Sequence, residues 1–417
     1  MRVLIAGAGI GGLTAALCLH AAGFPVTLAE AALTFEPIGV GLNLLPAAVA
    51  ELAELGLGDD LHAIAVPVAE MAHFDRHGNL IWSEPRDGQY SVHRGELQMM
   101  LLGAVRSRLG HDAVRFGKAV TAFAPDEGGV TTTVRDRASG ELTSLRADVL
   151  IGADGLHSTV RRLLHAGEGP PLANGITMWR GITPADSTVV LADPAATPLA
   201  AALTASAAGG TTPVRGTVAV YGCNAKAKLV VYPVAHASGG RIHLNWVAEA
   251  RTAAPAQPRR AREAIERTLL SHFEGWSLPH FDVRTLFTAA PEILELPMTD
   301  RDPLPAWGES RVTLLGDAAH PMYPIGSNGG SQAIIDARVL ATALAMTCDP
   351  EAALRAYEQA RLPVTSAIVT ACRAMPADDI LTLVADRAPH GFTSIADVLT
   401  PAELATVTAA YTHTSRG

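Results

Sequence analysis

The run Arg2-Val3-Leu4-Ile5-Ala6-Gly7-Ala8-Gly9-Ile10-Gly11-Gly12-Leu13, carried on to Val26-Thr27-Leu28-Ala29-Glu30, decides how the rest of this chain is read. Val3 to Ala6 is a short apolar stretch of strand type. Gly7, Gly9 and Gly12 follow it in G-x-G-x-x-G spacing. Leu13 to about Ala22 is an Ala/Leu-rich helical pattern stopped by Gly23, and Pro25 to Ala29 reads as a second strand ending in Glu30. Each glycine has its own reason if the turn faces a pyrophosphate: Gly7 permits the tight turn, Gly9 removes a side chain that would hold phosphate off, and Gly12 lets the helix pack closely. Ile10 and Gly11 belong to the same cofactor-binding turn, and the N–H groups and dipole at the N-terminus of the following helix favour an anion. Glu30, eighteen residues beyond Gly12, is placed to accept hydrogen bonds from a ribose diol. A glycine fingerprint alone is weak, but a strand before it, a helix after it and an acid at the next strand end make this one strong.

A leader or membrane anchor is the rival reading, because no Asp, Glu, Lys or Arg lies between Arg2 and Glu30. Four glycines in six residues would weaken a spanning helix, and the uncharged part divides into strand, helix and strand. With 417 residues, 48% hydrophobic and 18% charged, the chain has the composition of an enzyme with a large core and two joined domains. A net charge of −9 and the lack of a basic cluster with interleaved aromatics argue against nucleic acid. Cys18, Cys223, Cys348 and Cys372 are scattered with no C-x-x-C pair, which fits buried thiols in a reducing cytoplasm rather than disulfides or zinc. No second apolar run is long enough to span a bilayer, and nothing bears on oligomeric state.

Farther along, Gly39 to Pro46 reads as a loop passing close to a ligand at Gly41, with Pro46 opening a helix to about Leu55. Ala69–Phe74 and Leu80–Ser83 read as strands around the turn His77-Gly78-Asn79. His73 and His77 are expected at the surface there. Tyr90 to about Leu109 reads as one helix, in which Arg94 and Gln98 share a face. Three β segments, 114–123, 130–135 and 142–151, form a meander that runs into Gly152-Ala153-Asp154-Gly155. Extended segments at 175–182, 228–233 and 241–249, with a helix at 261–273, suggest a sheet. Residues 184–213 read as surface loop. At Val312–Leu315 the nucleotide-fold character returns, followed by Asp317, a glycine-rich loop, and helices at about 330–346, 350–374 and 401–412.

Gly7–Gly12 with Glu30, the segment Ala153–Arg161 and the segment Leu315–Pro321 together resemble the single-component (group A) flavoprotein aromatic hydroxylases, in order and spacing, over nearly the whole chain. Gly39–Pro46, Tyr90–Met100, Gly175–Gly181 and Asp300–Gln332 resemble the phenazine-modifying monooxygenases, of the type acting on 5-methylphenazine-1-carboxylate, more than the para-hydroxybenzoate hydroxylases. The resemblance implies an α/β chain: a Rossmann-like, para-hydroxybenzoate hydroxylase-like FAD-binding domain, interrupted by a β-sheet substrate domain and followed by C-terminal helices. Its parts would be residues 1–165 (with a small substrate-side insertion at 67–88), 166–294, 295–375 and 376–417. It also implies FAD as bound cofactor, NAD(P)H as transient reductant, and O2 activated as a flavin C4a-hydroperoxide that hydroxylates a small aromatic or heteroaromatic substrate. For a ring carboxylate at the attacked carbon, it implies hydroxylation with loss of carbon dioxide.

In that setting Asp317 can accept a hydrogen bond from the flavin's sugar chain. The N–H groups of Gly329, Gly330 and Ser331 can meet the reduced flavin's negative charge. Pro324 would lie beside the flavin edge. Arg94 can neutralise the pyrophosphate, with Gln98 bonding nearby. Asp154 alone would read as an Asp-Gly turn, but beside the other two signatures the resemblance implies a cofactor-binding residue near the pyrophosphate. Arg180 either holds a substrate carboxylate or makes a surface ion pair, and Tyr232 joins it in the substrate cavity. His243 and Asn245 either line that cavity or are satisfied within a sheet. His93, His157 and His320 lack a partner histidine at ligand spacing, so no metal is expected. A halogenase would need a Trp-x-Trp-x-Ile-Pro run, which is absent. An N-oxygenase, an epoxidase and a non-catalytic flavin-binding regulator stay open as alternatives. The single dinucleotide fingerprint favours a reductant that binds only in passing.

Overall fold

A computed structural model describes residues 1–37, 39–185, 216–235, 242–252, 260–279 and 281–406. In chain order, β1 is Val3–Ala6, α1 Ile10–Ala21, β2 Val26–Ala29, β3 Gly41–Leu44, α2 Pro46–Glu54, α3 Gly58–Ile64, β4 Ala65–Phe74, β5 Leu80–Pro85 and β6 Tyr90–His93. Then follow α4 Arg94–Leu109, β7 Val114–Arg115, β8 Lys118–Asp126, β9 Gly129–Asp136, β10 Leu142–Ala147, β11 Val149–Gly152 and α5 Thr159–Leu164. The middle holds β12 Leu172–Pro184, β13 Gly216–Cys223, β14 Ala227–Ala235, β15 Ile242–Arg251, α6 Arg262–His272 and α7 Val283–Thr288. The last part holds β16 Ile293–Asp300, β17 Val312–Leu314, α8 Asn328–Met346, α9 Pro350–Ala374 and α10 Pro376–Arg387.

Five parallel strands in the order β17-β11-β1-β2-β7 form the nucleotide-type sheet. All four residues of β1 and of β11 are buried, as both-face coverage of a parallel sheet requires. Helix α1 is buried along most of its length because it lies between this sheet and α8. A side chain at Gly11 would strike Leu315 at 2.7 Å and Ala333 at 3.2 Å, so only glycine lets α1 approach α8 this closely.

The second sheet has nine strands, β16-β12-β15-β14-β13-β4-β6-β3 with β5 paired to β4. Alternation along its strands sends Trp179, Trp246 and Leu229 into a core with Phe287 of α7 on one face. The other face carries Arg180, Val230, Tyr232 and Val247 toward the first sheet. Gly181 sits under the Trp246 ring, where a Cβ would come within 2.4 Å of the indole.

Several expectations need correction. Tyr90–His93 is a strand, antiparallel to β3, and the helix begins only at Arg94, where His93 caps it by accepting from Glu96 N. Gly41–Leu44 is likewise a strand, not a loop. Val114–Arg115 pairs with β2 in the parallel sheet, and the meander is β8-β9-β10; Asp148 separates β10 from β11. His73 is buried, stacked on Trp82 at 3.7 Å, because β4 runs in the interior of the large sheet rather than at its rim. β13, α7 and α10 were not anticipated. The 184–213 loop falls outside the described residues except Pro184 and Ala185, and of the 401–412 helix residues 401–406 are described and helical.

Candidate active site

The glycine turn, the N-terminus of α8 and the polar face of the large sheet enclose a cleft of about 350 Å³. Gly7 has φ +98°, and a Cβ there would meet the Ala153 carbonyl oxygen at 2.5 Å. A Cβ on Gly12 would sit 2.1 Å from the Gly7 oxygen, so this glycine makes room for its own turn. A Cβ on Gly9 would meet nothing within 4 Å, and Gly9, Ile10 and Gly11 all line the cleft. Gly9 caps α1 with no side-chain hydrogen bond, which keeps the helix's first N–H groups for a ligand.

Glu30 ends β2 beside this turn. Its carboxylate accepts from Ala8 N and Ala32 N, each at 2.7 Å, so it is fixed at the turn's edge. Gln98 Nε2 donates to the Ala8 carbonyl at 3.0 Å, bracing the turn, while Arg94 one helical turn earlier is exposed in the cleft. Asp154 does not face the cleft: its carboxylate bonds the Ser158 hydroxyl and the Thr159 N–H at the start of α5. The turn reading describes its side chain, and the neighbouring Ala153 and Gly155 form the wall. Burial raises the Asp154 carboxyl above its ordinary range, opposed by those hydrogen bonds.

Across the cleft, Asp317 is exposed in the short turn Gly316–Ala318, with Pro324 and Gly326 on the loop above it. Ser327 at φ +62° turns this loop into α8, and Gly329 and Gly330 of the first turn line the cleft. A Cβ on Gly330 would press on Leu42 at 2.9 Å. Ser331 is turned inward, where its hydroxyl accepts from Leu45 N and donates to Ser327 O.

On the sheet wall, Arg180 Nη2 donates to the Gly41 carbonyl at 3.0 Å, and the Tyr232 phenol lies against both Arg180 and Asn245. Among the described residues no carboxylate ion-pairs with Arg180, and its buried Nε has no hydrogen-bond partner. The surface ion-pair reading is therefore corrected. Burial lowers the Arg180 guanidinium from its ordinary value and pushes the Tyr232 phenol up to about 12, so Tyr232 is a protonated donor at neutral pH. Asn245 Oδ1 accepts from Gly41 N at 2.6 Å, which makes it a strap between β15 and β3 rather than a cavity residue. A Cβ on Gly41 would lie 2.6 Å from Asn245 and 2.7 Å from the Tyr232 ring.

One cluster in the wall was not read from the sequence. Lys228 Nζ lies 2.9 Å from Glu249 and 3.3 Å from Asp378 of α10, and all three line the cleft. Burial works against the Lys228 charge, but the two carboxylates override it and hold its pKa above the usual lysine range. Charged residues inside the apolar runs 227–235 and 242–251 were the available signal; Asp378 carried none. His320 is bonded to Asp336 at 2.6 Å, and no metal-holding group of three or more ligands occurs among the described residues.

A bare glycine turn, free helix N-termini on both sides and an open space at Gly9 fit a dinucleotide with its ring system against α8. The fold and cleft thus define a dinucleotide-binding protein. The "FAD binding domain" family profile matches residues 1–372. The chain is 42% identical over 389 residues to the phenazine 1,6-dicarboxylic acid hydroxylase of Lysobacter antibioticus, covering 89% of each. It is 31% identical to 3-hydroxybenzoate 6-hydroxylase 1 of Aquipseudomonas alcaligenes, covering 89% of this chain and 88% of that one. The crystal structure of Klebsiella pneumoniae HpxO complexed with FAD and uric acid superimposes with a TM-score of 0.73 at 27% identity, covering 100% of this chain and 93% of the other. The chain belongs to the FAD-binding-domain family of flavoprotein aromatic monooxygenases, and it is an FAD-dependent enzyme of that family.

Proposed function

We propose that this enzyme uses NAD(P)H and O2 to hydroxylate a planar aromatic or heteroaromatic acid, of the phenazine or hydroxybenzoate kind. The observation that carries this is Arg180, a half-buried guanidinium in the cleft wall with no carboxylate of the described residues paired to it. Burial disfavours this charge and Glu249 supports it only through space, so a bound anion would complete its pairing. Two relatives named for carboxylate-bearing rings, phenazine 1,6-dicarboxylic acid and 3-hydroxybenzoate, support the same reading.

FAD, when bound, supplies the redox and oxygen chemistry. This chain's residues hold and enclose it. The backbone of Gly7, Gly9, Ile10, Gly11 and Gly12 would receive the pyrophosphate, Glu30 the ribose and Arg94 a phosphate charge. Gln98, Asp154 and Ser331 act through the backbone they brace, and Gly41 keeps β3 low enough for the ring system to pass. Asp317 would bond the sugar chain, and the Gly329 and Gly330 N–H groups would hold a ring oxygen beside Pro324. Arg180 and the protonated Tyr232 would grip the substrate's carboxylate, while Val218, Val220, Val230 and Val247 keep the wall dry. On this reading residues 1–165 and 295–375 hold the cofactor, 166–294 with 67–88 the substrate, and the helix at 376–387 closes the far end.

The test is a panel of benzoate- and phenazine-type acids with purified, yellow holoenzyme. The expected result is accelerated NAD(P)H oxidation, oxygen uptake and a product bearing one added oxygen, with or without loss of carbon dioxide. Holoenzyme that oxidises NAD(P)H no faster with any acid of the panel would sink the reading.

A further inference from the structure

A second cavity, of about 210 Å³, lies where the β4–β5 turn, the β13–β14 turn, the end of α6 and helix α10 come together. It shares one residue with the flavin cleft. Leu381, 3% exposed, lines both spaces. The α10 positions that face them are Asp378 and Leu381 on the cleft side and Leu381 and Ala385 on the other, with Ala388 following at the helix C-cap. Their spacing of three and four residues puts them on one helical stripe that runs about 15 Å from one space to the other.

The inside of the second cavity is apolar and aromatic, with Phe74, Ile81 and Trp276 in its wall. Its rim is polar and mostly committed. Arg76 Nη2 donates to the Pro389 carbonyl at 2.9 Å, His77 Nε2 lies 3.3 Å from the same oxygen, and Lys226 Nζ donates to the Ala385 carbonyl at 3.4 Å. Arg76 thus bonds a carbonyl and an imidazole, and with Lys226 it is balanced on the lining by Asp75 and Glu274, so the space carries no net charge that would repel a ring acid. Burial holds His272 below the usual histidine range, so the wall presents a neutral ring there. A space under the roughly 300–1,000 Å³ of a complete ligand site suits a ring in transit rather than a second reaction centre.

We propose that this cavity is an antechamber through which planar aromatic acids reach the flavin cleft, with Leu381 as the partition. The proposal rests on the function inferred above for the cleft. Asp378 pins α10 to Lys228 and to Asn224 Nδ2 at 2.8 Å, so passage is a matter of the Leu381 side chain turning, with the helix left in place.

The test fills the antechamber without touching the cleft, using FAD-loaded Ala385→Trp and Ala388→Trp. Association of benzoate- and phenazine-type carboxylates is followed by stopped-flow through the flavin absorbance, alongside steady-state turnover. Filling the space should slow association and lower kcat/KM by about tenfold or more, with kcat within about twofold of wild type. Leu381→Ala, which removes the partition, should associate at least as fast as wild type. If both tryptophan variants bind the acids at the wild-type rate, or Leu381→Ala binds them more slowly, the antechamber is refuted while the cleft assignment stands. A wild-type enzyme that neither binds nor turns over any of the acids refutes the cleft assignment, and the antechamber with it. Should one tryptophan variant fail to take up FAD, the other and Leu381→Ala decide.

Discussion

Gly9 and Gly12 belong to the same fingerprint and do different work, which makes them separable by substitution. An added methyl at Gly9 meets only open space, and its φ of −70° suits any residue. Gly9→Ala should therefore leave apoprotein stability within about 0.5 kcal/mol while FAD affinity falls, read by flavin fluorescence on titration. Gly12→Ala drives a methyl into the Gly7 carbonyl and should lower the denaturation midpoint of the apoprotein itself. Arg180→Lys keeps the charge but loses the planar fork. With a charged hydrogen bond worth about 1.5–3 kcal/mol, kcat/KM for an acid substrate should fall roughly 10- to 100-fold, and for its neutral amide analogue far less. Equal losses for both would show that Arg180 does not hold the carboxylate. Such residues were legible because their requirements are local: a glycine turn needs a few neighbours and a strand before it. The Lys228–Glu249–Asp378 cluster was not legible, because its members lie up to 150 positions apart and meet only after three elements have packed.

Among the elements, α8 and α9 are joined by a buried polar knot. Asp336 accepts from His320 at 2.6 Å and from Arg361 Nε at 2.7 Å, and Arg361 also reaches Gln332. Burial acts to raise the Asp336 pKa, but His320 and Arg361 outweigh it and hold the carboxyl below its ordinary value. Asp336→Ala strands the Arg361 charge and should cost about 3–5 kcal/mol of stability, measured by urea unfolding of the apoprotein. A loss under 1 kcal/mol would mean Arg361 finds another partner. This knot fixes the helix whose first turn forms the cleft floor, so FAD affinity should fall as well. Element boundaries were read well where capping or proline chemistry marks them, as at Pro46 and Pro350. They were misread at Tyr90–His93, because four residues of strand leading directly into a helix present one unbroken run of side chains, and only pairing with β3 shows the change.

For the molecule as a whole, the large sheet carries an acid-sensitive point in its interior. Burial, with Arg86 and Lys228 nearby, holds His73 well below its ordinary pKa of 6.5. The unfolded chain therefore binds a proton there that the native state refuses. The stability this neutral ring allows is complete above pH 6.5 and is lost as the pH falls below that value. One such group contributes a slope of at most about 1.4 kcal/mol per pH unit. His73→Phe should flatten the decline in urea midpoint between pH 6.5 and 5, and an unchanged slope would remove His73 as its source.

Helix α10 supplies both Asp378 and Leu381 to the cleft, although it lies far along the chain from the glycine turn. A ribosome reading this message lays down the nucleotide fingerprint long before that wall. Until residues 376–387 leave the exit tunnel, the nascent chain holds Lys228 beside an unfinished chamber. A stop codon just before residue 376 would spare the family signature and yield a flavoprotein with one side missing, prone to spend reductant on oxygen without product.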